Sequence, residues 1–181
     1  DQLNGINGFR ITGVNQDDLL GFSVSGIGDF NGDGFGDLAV GVPNADPGAP
    51  PKVNSGSAYL IFGNAGPFAS VFDLLTLSGN NGFRVDGLRE GDSLGISVGA
   101  AGDVNGDGFD DVILGAYHAS VGNPPRSEAG ETYVLFGSAS NSSATFPLSA
   151  INGQNGFRLE GVGAQDESGW SVAGAGDING D

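Results

Sequence analysis

Short apolar runs alternate with clusters of Gly, Asn, Asp and Pro along the whole chain. The first four runs cover residues 8–13, 20–28, 37–42 and 57–62, and all are rich in Val, Ile, Phe, Leu or Tyr. Such runs, bounded by turn residues, are typical of β-strands, and Gly or Pro interrupts each of them before three helical turns could form. The pattern therefore predicts an all-β protein.

The four runs differ in a way that predicts their places in a sheet. Runs 37–42 and 57–62 are almost continuously apolar, which suits central strands that are covered on both faces. Run 20–28 mixes Gly and Ser with apolar residues, which suits a crowded innermost strand where backbones approach one another closely.

The whole pattern repeats every 74 residues. The segment Asn-Gly-Phe-Arg at residues 7–10 recurs at 81–84 and again at 155–158, and two full periods align without a gap. Four strands per repeat are typical of a propeller blade. The repeats of a β-solenoid are shorter, about 20–30 residues, and a β-sandwich does not predict gapless repetition.

We therefore predict that residues 1–181 form part of a β-propeller whose blades each contain four antiparallel strands. The blade repeats are two complete periods and a truncated third one, which cover residues 7–80, 81–154 and 155–181.

An Asp-rich loop separates the second and third runs of each period. Its pattern, D-x-N-x-D-G-x-x-D, places side-chain oxygens at every second position of a tight turn, and its Gly permits a positive φ. A hard cation that prefers six to eight oxygens is the natural occupant, because three Asp charges repel one another without a cation. The predicted calcium ligands are four side chains and the backbone carbonyl of the Phe in the first Asp loop (residues 29–37) and in the second Asp loop (residues 103–111): Asp29, Asn31, Asp33, Phe35 and Asp37, and Asp103, Asn105, Asp107, Phe109 and Asp111.

The Asp loops begin like an EF-hand but do not end like one. Position 12 is Val40 or Leu114 and not the bidentate Glu of an EF-hand. Calcium is favoured over magnesium because the loop offers many protein oxygens, and zinc is disfavoured because the chain has no Cys and one His. The alternative is an Asx-rich hairpin turn without a metal. A third loop begins at Asp177, Asn179 and Asp181, and we predict no complete site there.

Residues 20–43 (LGFSVSGIGDFNGDGFGDLAVGVP) resemble an FG-GAP repeat, the blade unit of integrin α-chain propellers. Residues 94–117 and the truncated segment 169–181 resemble it too, although the second copy has Asp110 where the first has Gly36, and neither residue is a predicted ligand. The resemblance implies calcium-dependent rigidity, a secreted or cell-surface location, and ligand binding by loops on one face. Propellers of this family usually have seven blades, so we expect the chain to be part of a longer polypeptide.

Charge narrows the range of partners. The chain has 22 acidic and 6 basic residues and a net charge of −16, so nucleic acid and anionic membranes should repel it. No apolar run is long enough to span a bilayer, and we expect no membrane insertion. No nucleophile-elbow motif accompanies the single histidine, His118, so we interpret the chain as a binding scaffold and not as an enzyme.

The function that we infer is an extracellular calcium-binding scaffold for adhesion or for recognition of a protein or glycan ligand. One alternative is an accessory propeller of a secreted hydrolase or lyase, a role in which the family also occurs. Another is a subunit of an extracellular fibre or surface layer, which would self-associate through exposed blade edges. The long connections 43–56 and 117–130 should lie on the face opposite the Asp loops, where they either bind a ligand or simply connect strands.

Two further sets of residues recur with the repeat. Arg10, Arg84 and Arg158 occupy one position, and we expect each to pair with a nearby acid or with blade carbonyls. Trp170 occupies the position of Phe22, and we expect it in the blade core.

Overall fold

The computed structural model describes residues 2–140 and 143–176. Within these ranges the chain forms short β-strands and two single-turn 3-10 helices, Leu74–Thr76 and Leu148–Ala150. No helix in these ranges has the length and apolar character that a membrane crossing requires. The strands, in chain order, are β1 (Arg10–Ile11), β2 (Ser23–Gly28), β3 (Asp37–Val42), β4 (Ser57–Ile61), β5 (Val71–Phe72), β6 (Gly82–Asp86), β7 (Ser97–Gly102), β8 (Asp111–Ala116), β9 (Glu131–Leu135), β10 (Thr145–Phe146) and β11 (Gly156–Glu160).

Four antiparallel strands form each of two blades, and the short strand β10 adds to the outer edge of the first as a fifth, parallel strand. In the first blade the order is β2-β3-β4-β6, and in the second blade it is β7-β8-β9-β11. Strands β4 and β9 are buried throughout and β3 and β8 nearly so, whereas β2 carries the mixed exposure of an inner strand. The predicted all-β fold with four-stranded propeller blades is thereby confirmed.

The outermost strand of each blade comes from the following 74-residue period. Strand β6 opens the second period but pairs with β4, and β11 opens the third period but pairs with β9. Strand β1, at the equivalent position of the first period, pairs in parallel with β5, just as β6 pairs in parallel with β10. The sheets are therefore offset from the sequence periods counted from Asn7.

The main apolar core lies between the two blades. Alternation along each strand sends Ala39 to this core, together with Leu60, Val112 and Leu114. Val40 faces the other way, into a smaller cluster that packs on the far side of the first blade. Each blade is thus covered by apolar side chains on the face that it turns to its neighbour.

Glycine sets the spacing between blades. A Cβ on Gly41 would collide with the carbonyl oxygen of Gly95, and a Cβ on Gly115 would collide with that of Gly169. The same carbonyl oxygen of Gly95 accepts a 2.9 Å hydrogen bond from the Ser23 hydroxyl. The repeated Gly and Ser positions therefore let adjacent blades approach backbone to backbone.

The expectation that Trp170 lies in the blade core is wrong. Its side chain is 57% exposed, and Phe22 at the equivalent position of the first period is 58% exposed. Residue 22 precedes the inner strand β2, whose inner edge has no partner in its own sheet. Ile96, at the same position of the second period, is half-buried, so burial at this position differs from one period to the next.

Candidate cation sites in the Asp loops

The first Asp loop is shaped by its own carboxylates. It joins the end of β2 to the start of β3, and Gly32 and Gly34 adopt φ values of 74° and 88°. The Asp29 carboxylate accepts hydrogen bonds from the backbone N–H groups of Asp33 (3.0 Å) and Gly34 (2.9 Å). The first residue of the motif therefore caps the turn, and the glycines supply a conformation that other residues adopt with strain.

Asn31 and Asp33 join the same network. The Asn31 side-chain oxygen accepts from the Asp33 N–H at 3.0 Å, and its amide group donates to the Asp33 carboxylate at 2.9 Å. The other oxygen of Asp33 accepts from the Phe35 N–H at 2.9 Å. Three predicted ligands, Asp29, Asn31 and Asp33, are thus brought together at one end of the loop.

Asp37 lies apart from that group and is buried. Its two carboxylate oxygens accept from the Phe30 N–H at 2.9 Å and from the Gly63 N–H at 2.8 Å, which ties the loop to the segment after β4. Burial raises the pKa of Asp37 to about 6, although the two backbone donors pull that pKa down. Asp37 is a structural clamp as well as a predicted ligand.

The second Asp loop repeats this arrangement. Asp103 accepts from the N–H groups of Asp107 (3.1 Å) and Gly108 (2.9 Å), and the Asn105 amide donates to Asp107 at 2.8 Å. Asp111 is buried and accepts from the N–H groups of Val104 and Gly137, both at 2.8 Å. Burial again raises the pKa of this clamp residue. The second loop has one further bond, from the Gly106 N–H to Asp103 at 2.8 Å. Because the two networks share all the other bonds, the motif specifies them locally.

The predicted ligand sets are only partly assembled. Within residues 2–140 and 143–176, no three His, Cys, Asp or Glu side chains form a group that could hold a metal ion. In each loop two carboxylates and one amide meet, while the third carboxylate serves the clamp. All of the predicted ligand atoms are oxygens, which suits a hard cation such as calcium. Each oxygen of Asp29 accepts one backbone hydrogen bond, whereas one oxygen of Asp103 already accepts two, from Gly106 and Asp107. The predicted third loop, Asp177, Asn179 and Asp181, lies outside the described residues.

Sequence reasoning missed the clamp role of Asp37 and Asp111. The motif gave the distance along the chain from the first Asp to the last, but the partners Gly63 and Gly137 lie 26 residues further on. The only available signal was that each clamp Asp opens an apolar strand, where a carboxylate needs hydrogen-bond donors.

Two of the three recurrent arginines, Arg84 and Arg158, pair with acids, as predicted. Arg84 contacts Asp86 through Nε at 2.6 Å and Nη2 at 2.8 Å. Arg158 contacts Glu160 at 3.1 Å and the buried Glu131 at 3.4 Å. Arginine at this position therefore stabilises the outer strand of each blade.

The long connections lie at the strand ends opposite the Asp loops. The Asp loop joins β2 to the start of β3, and the long connection leaves the other end of β3 to reach its antiparallel neighbour β4. In the second connection the rings of Tyr117 and His118 are tilted by 32° with centroids 3.6 Å apart, and Tyr117 meets Trp170 edge-on at 4.6 Å. Burial raises the pKa of Tyr117, and the negative charges of Glu167 and Glu128 raise it further. This face therefore carries aromatic side chains beside acidic ones.

Comparison with known proteins supports the predicted resemblance of each period to an FG-GAP repeat. The FG-GAP repeat family matches residues 20–61 and 94–135. Bovine phosphatidylinositol-glycan-specific phospholipase D (Bos taurus) is 32% identical over 162 residues, which cover 90% of this chain and 17% of that protein. Integrin alpha-E of Mus musculus is 32% identical over 103 residues, 56% of this chain and 8% of the integrin. Integrin alpha-PS2 of Drosophila melanogaster is 27% identical over 170 residues, 93% of this chain and 10% of the integrin.

The chain spans about a sixth of the phospholipase, at 17% of its length, and a tenth or less of the two integrins. Each matched family segment begins before the inner strand of a blade, contains the Asp loop and ends in β4 or β9. This chain therefore contains two FG-GAP repeats, at residues 20–61 and 94–135, and it is homologous to integrin alpha chains.

Proposed function

We propose that this protein is an extracellular, calcium-stabilised propeller scaffold for adhesion or recognition of a protein or glycan ligand. The observation that carries the proposal is the repetition of the Asp-loop network in two blades, with the same oxygen donors at equivalent positions. A motif that only formed a turn would need one capping Asp, whereas these loops keep two further acids and an amide.

Calcium would be held by Asp29, Asn31, Asp33 and the Phe35 carbonyl in the first loop, and by the equivalent residues of the second loop. It would offset the repulsion between neighbouring carboxylates in a chain of net charge −16. The clamp residues Asp37 and Asp111 would pass this stabilisation to the segments after β4 and β9, because their carboxylates reach Gly63 and Gly137.

The test is thermal unfolding in EDTA and in about 1 mM calcium, which lies at the upper end of the dissociation constants of extracellular calcium modules. We expect calcium to raise Tm, because a ligand that binds only the folded state stabilises it. Asp33→Asn should reduce the calcium-dependent rise in Tm, and Asp33→Asn with Asp107→Asn should abolish it. Glu90→Gln is the matched control, since it removes one charge from an exposed acid outside both loops. An identical Tm in EDTA and calcium would refute the proposal.

A second candidate function is an accessory propeller of a secreted enzyme. It is favoured by the match between 90% of this chain and phosphatidylinositol-glycan-specific phospholipase D. We expect residues 1–181 alone not to cleave a glycosylphosphatidylinositol-anchored reporter protein. Release of the reporter from vesicles by this chain would place catalysis in the repeat itself.

Self-association through blade edges is the third possibility, and the first blade offers exposed apolar side chains such as Phe22 and Val24 for it. Light scattering during size exclusion, over a hundredfold range of concentration, distinguishes it. A mass that rises with concentration would favour a fibre or layer, and a constant monomer mass would exclude one.

A further inference from the structure

The two Asp loops contact one another across the interface between the blades. One carboxylate oxygen of Asp110, in the second loop, accepts a 2.8 Å hydrogen bond from the backbone N–H of Asp29 in the first loop. The N–H of Asp110 donates to the carbonyl of Asp29 at 3.2 Å. Asp110 therefore holds the peptide groups on both sides of the residue that caps the first loop.

Packing reinforces these two hydrogen bonds. The Phe109 ring lies over Gly32, where an added Cβ would collide with it, and the Asp110 side chain lies equally close to Gly28. The carbonyl of Phe30, also in the first loop, accepts a 2.8 Å hydrogen bond from the Ser138 N–H beyond β9. The second blade thus contacts the start of the first loop, from Asp29 to Gly32, whereas residues 33–36 are exposed.

The contact depends on a side chain that the two loops do not share. The first loop has Gly36 at the position of Asp110, so it has no side chain with which to repeat the contact.

Asp110 is placed between two predicted ligands of the second loop, the Phe109 carbonyl and the Asp111 carboxylate. Any ordering of residues 109–111 by a cation would fix Asp110, and Asp110 would fix Asp29. Since Asp29 is a predicted ligand of the first loop, the backbone offers a short physical connection from one loop to the other.

We propose that Asp110 is a positioning residue that couples the two cation sites, so that occupation of the second loop raises the calcium affinity of the first. The proposal rests on the calcium binding proposed above. Coupling free energies between sites commonly correspond to affinity changes of about 5- to 150-fold, and the effect is reciprocal. For two hydrogen bonds and one ring contact we expect about tenfold.

The experiment is a calcium titration followed by NMR, with the amide resonance of Gly34 reporting on the first loop and that of Gly108 on the second. The second loop is disabled by Asp103→Asn with Asp107→Asn. We expect this change to weaken calcium binding at the first loop about tenfold in the otherwise natural chain. An Asp110→Gly background loses the carboxylate bond to Asp29 but keeps the backbone bond and the Phe109 ring. In that background we expect the same change to have a clearly smaller effect on the first loop, as read from a double-mutant cycle, and an unchanged effect would refute the role of Asp110.

Two further variants serve as controls. Gly36→Asp adds the same side chain at the equivalent position of the first loop and should leave the coupling unchanged. Asp110→Asn keeps an oxygen acceptor for the Asp29 N–H, so it should retain coupling. If Asp110→Gly unfolds, Asp110→Ala takes its place in the cycle, and the same reduction of coupling is expected from it.

The outcomes separate the two proposals. If disabling the second loop leaves the calcium affinity of the first loop unchanged in the natural background, the coupling is refuted while calcium binding stands. If neither Gly34 nor Gly108 responds to calcium up to about 10 mM, well above the range of extracellular calcium modules, both proposals fail.

Discussion

The two Asp loops share most of their internal hydrogen bonds but have different surroundings. In the first loop Phe30 is 2% exposed and packs among Phe62 and Phe83, whereas Val104 at the same position of the second loop is 51% exposed. Asp29 is half-buried under the second blade, and Asp103 is exposed. The comparison teaches that the nine-residue motif fixes the turn, while the neighbouring blade decides how much of the turn is buried.

The largest expected change in stability comes from truncating the side chain at the loop position whose burial differs most between the two loops. Phe30→Ala should destabilise the fold by about 3–5 kcal/mol, because it empties a packed aromatic site. Val104→Ala is the matched substitution and should cost within about 0.5 kcal/mol, as at other exposed positions. Urea unfolding followed by circular dichroism measures both. Similar losses for the two variants would show that burial does not distinguish the loops.

A smaller effect is expected from glycines at the loop entrance. Gly28 and Gly102 share a φ of 74°, so Ala should strain both by about 1–2 kcal/mol. Gly28→Ala should cost about 1 kcal/mol more, because its Cβ would displace the Asp110 carboxylate from the Asp29 N–H. The extra cost should disappear in an Asp110→Gly background. If it persists there, Asp110 is not its cause.

The smallest difference is expected at the clamps. Asp37→Asn and Asp111→Asn should each cost about 2 kcal/mol in EDTA, since an amide can accept only one of two buried backbone hydrogen bonds. The two losses should agree within about 0.5 kcal/mol, because the clamps make the same bonds. Unequal losses would mean that the covering blade also stabilises the clamp of the first loop.

Much of this structure follows from sequence patterns. The strands, their count per blade, the central position of β3 and β4 and the turn at each Asp loop are local properties, set by apolar runs and by Gly, Asn and Asp. The partner of each outer strand could not be predicted, because a repeat has no intrinsic starting point. A period that begins at Asn7 and one that begins at Leu20 describe the same sequence and imply different sheets.

The candidate site shows a similar division. The bonds of Asp29, Asn31 and Asp33 link residues no more than five apart, so spacing was sufficient to predict that they meet. The bond from Asp110 to Asp29 spans 81 positions, and nothing in the motif distinguished Asp110 from a solvated acid. The exposure of Trp170 was also missed, because hydrophobicity alone does not indicate whether a position faces another blade.

Because the outer strand of each blade comes from the next sequence period, the choice of fragment ends decides whether a fragment contains a complete sheet. A fragment of residues 7–80 is one sequence repeat, yet it would keep the outer strand β1 of a different sheet and lose β6, its own. A fragment of residues 20–86 does not match the sequence period counted from Asn7, but it contains all four strands of one blade. Recombination between neighbouring blades would therefore preserve sheets when it joins chains in the turn between β6 and β7, and would cut through a sheet when it follows the repeat boundary.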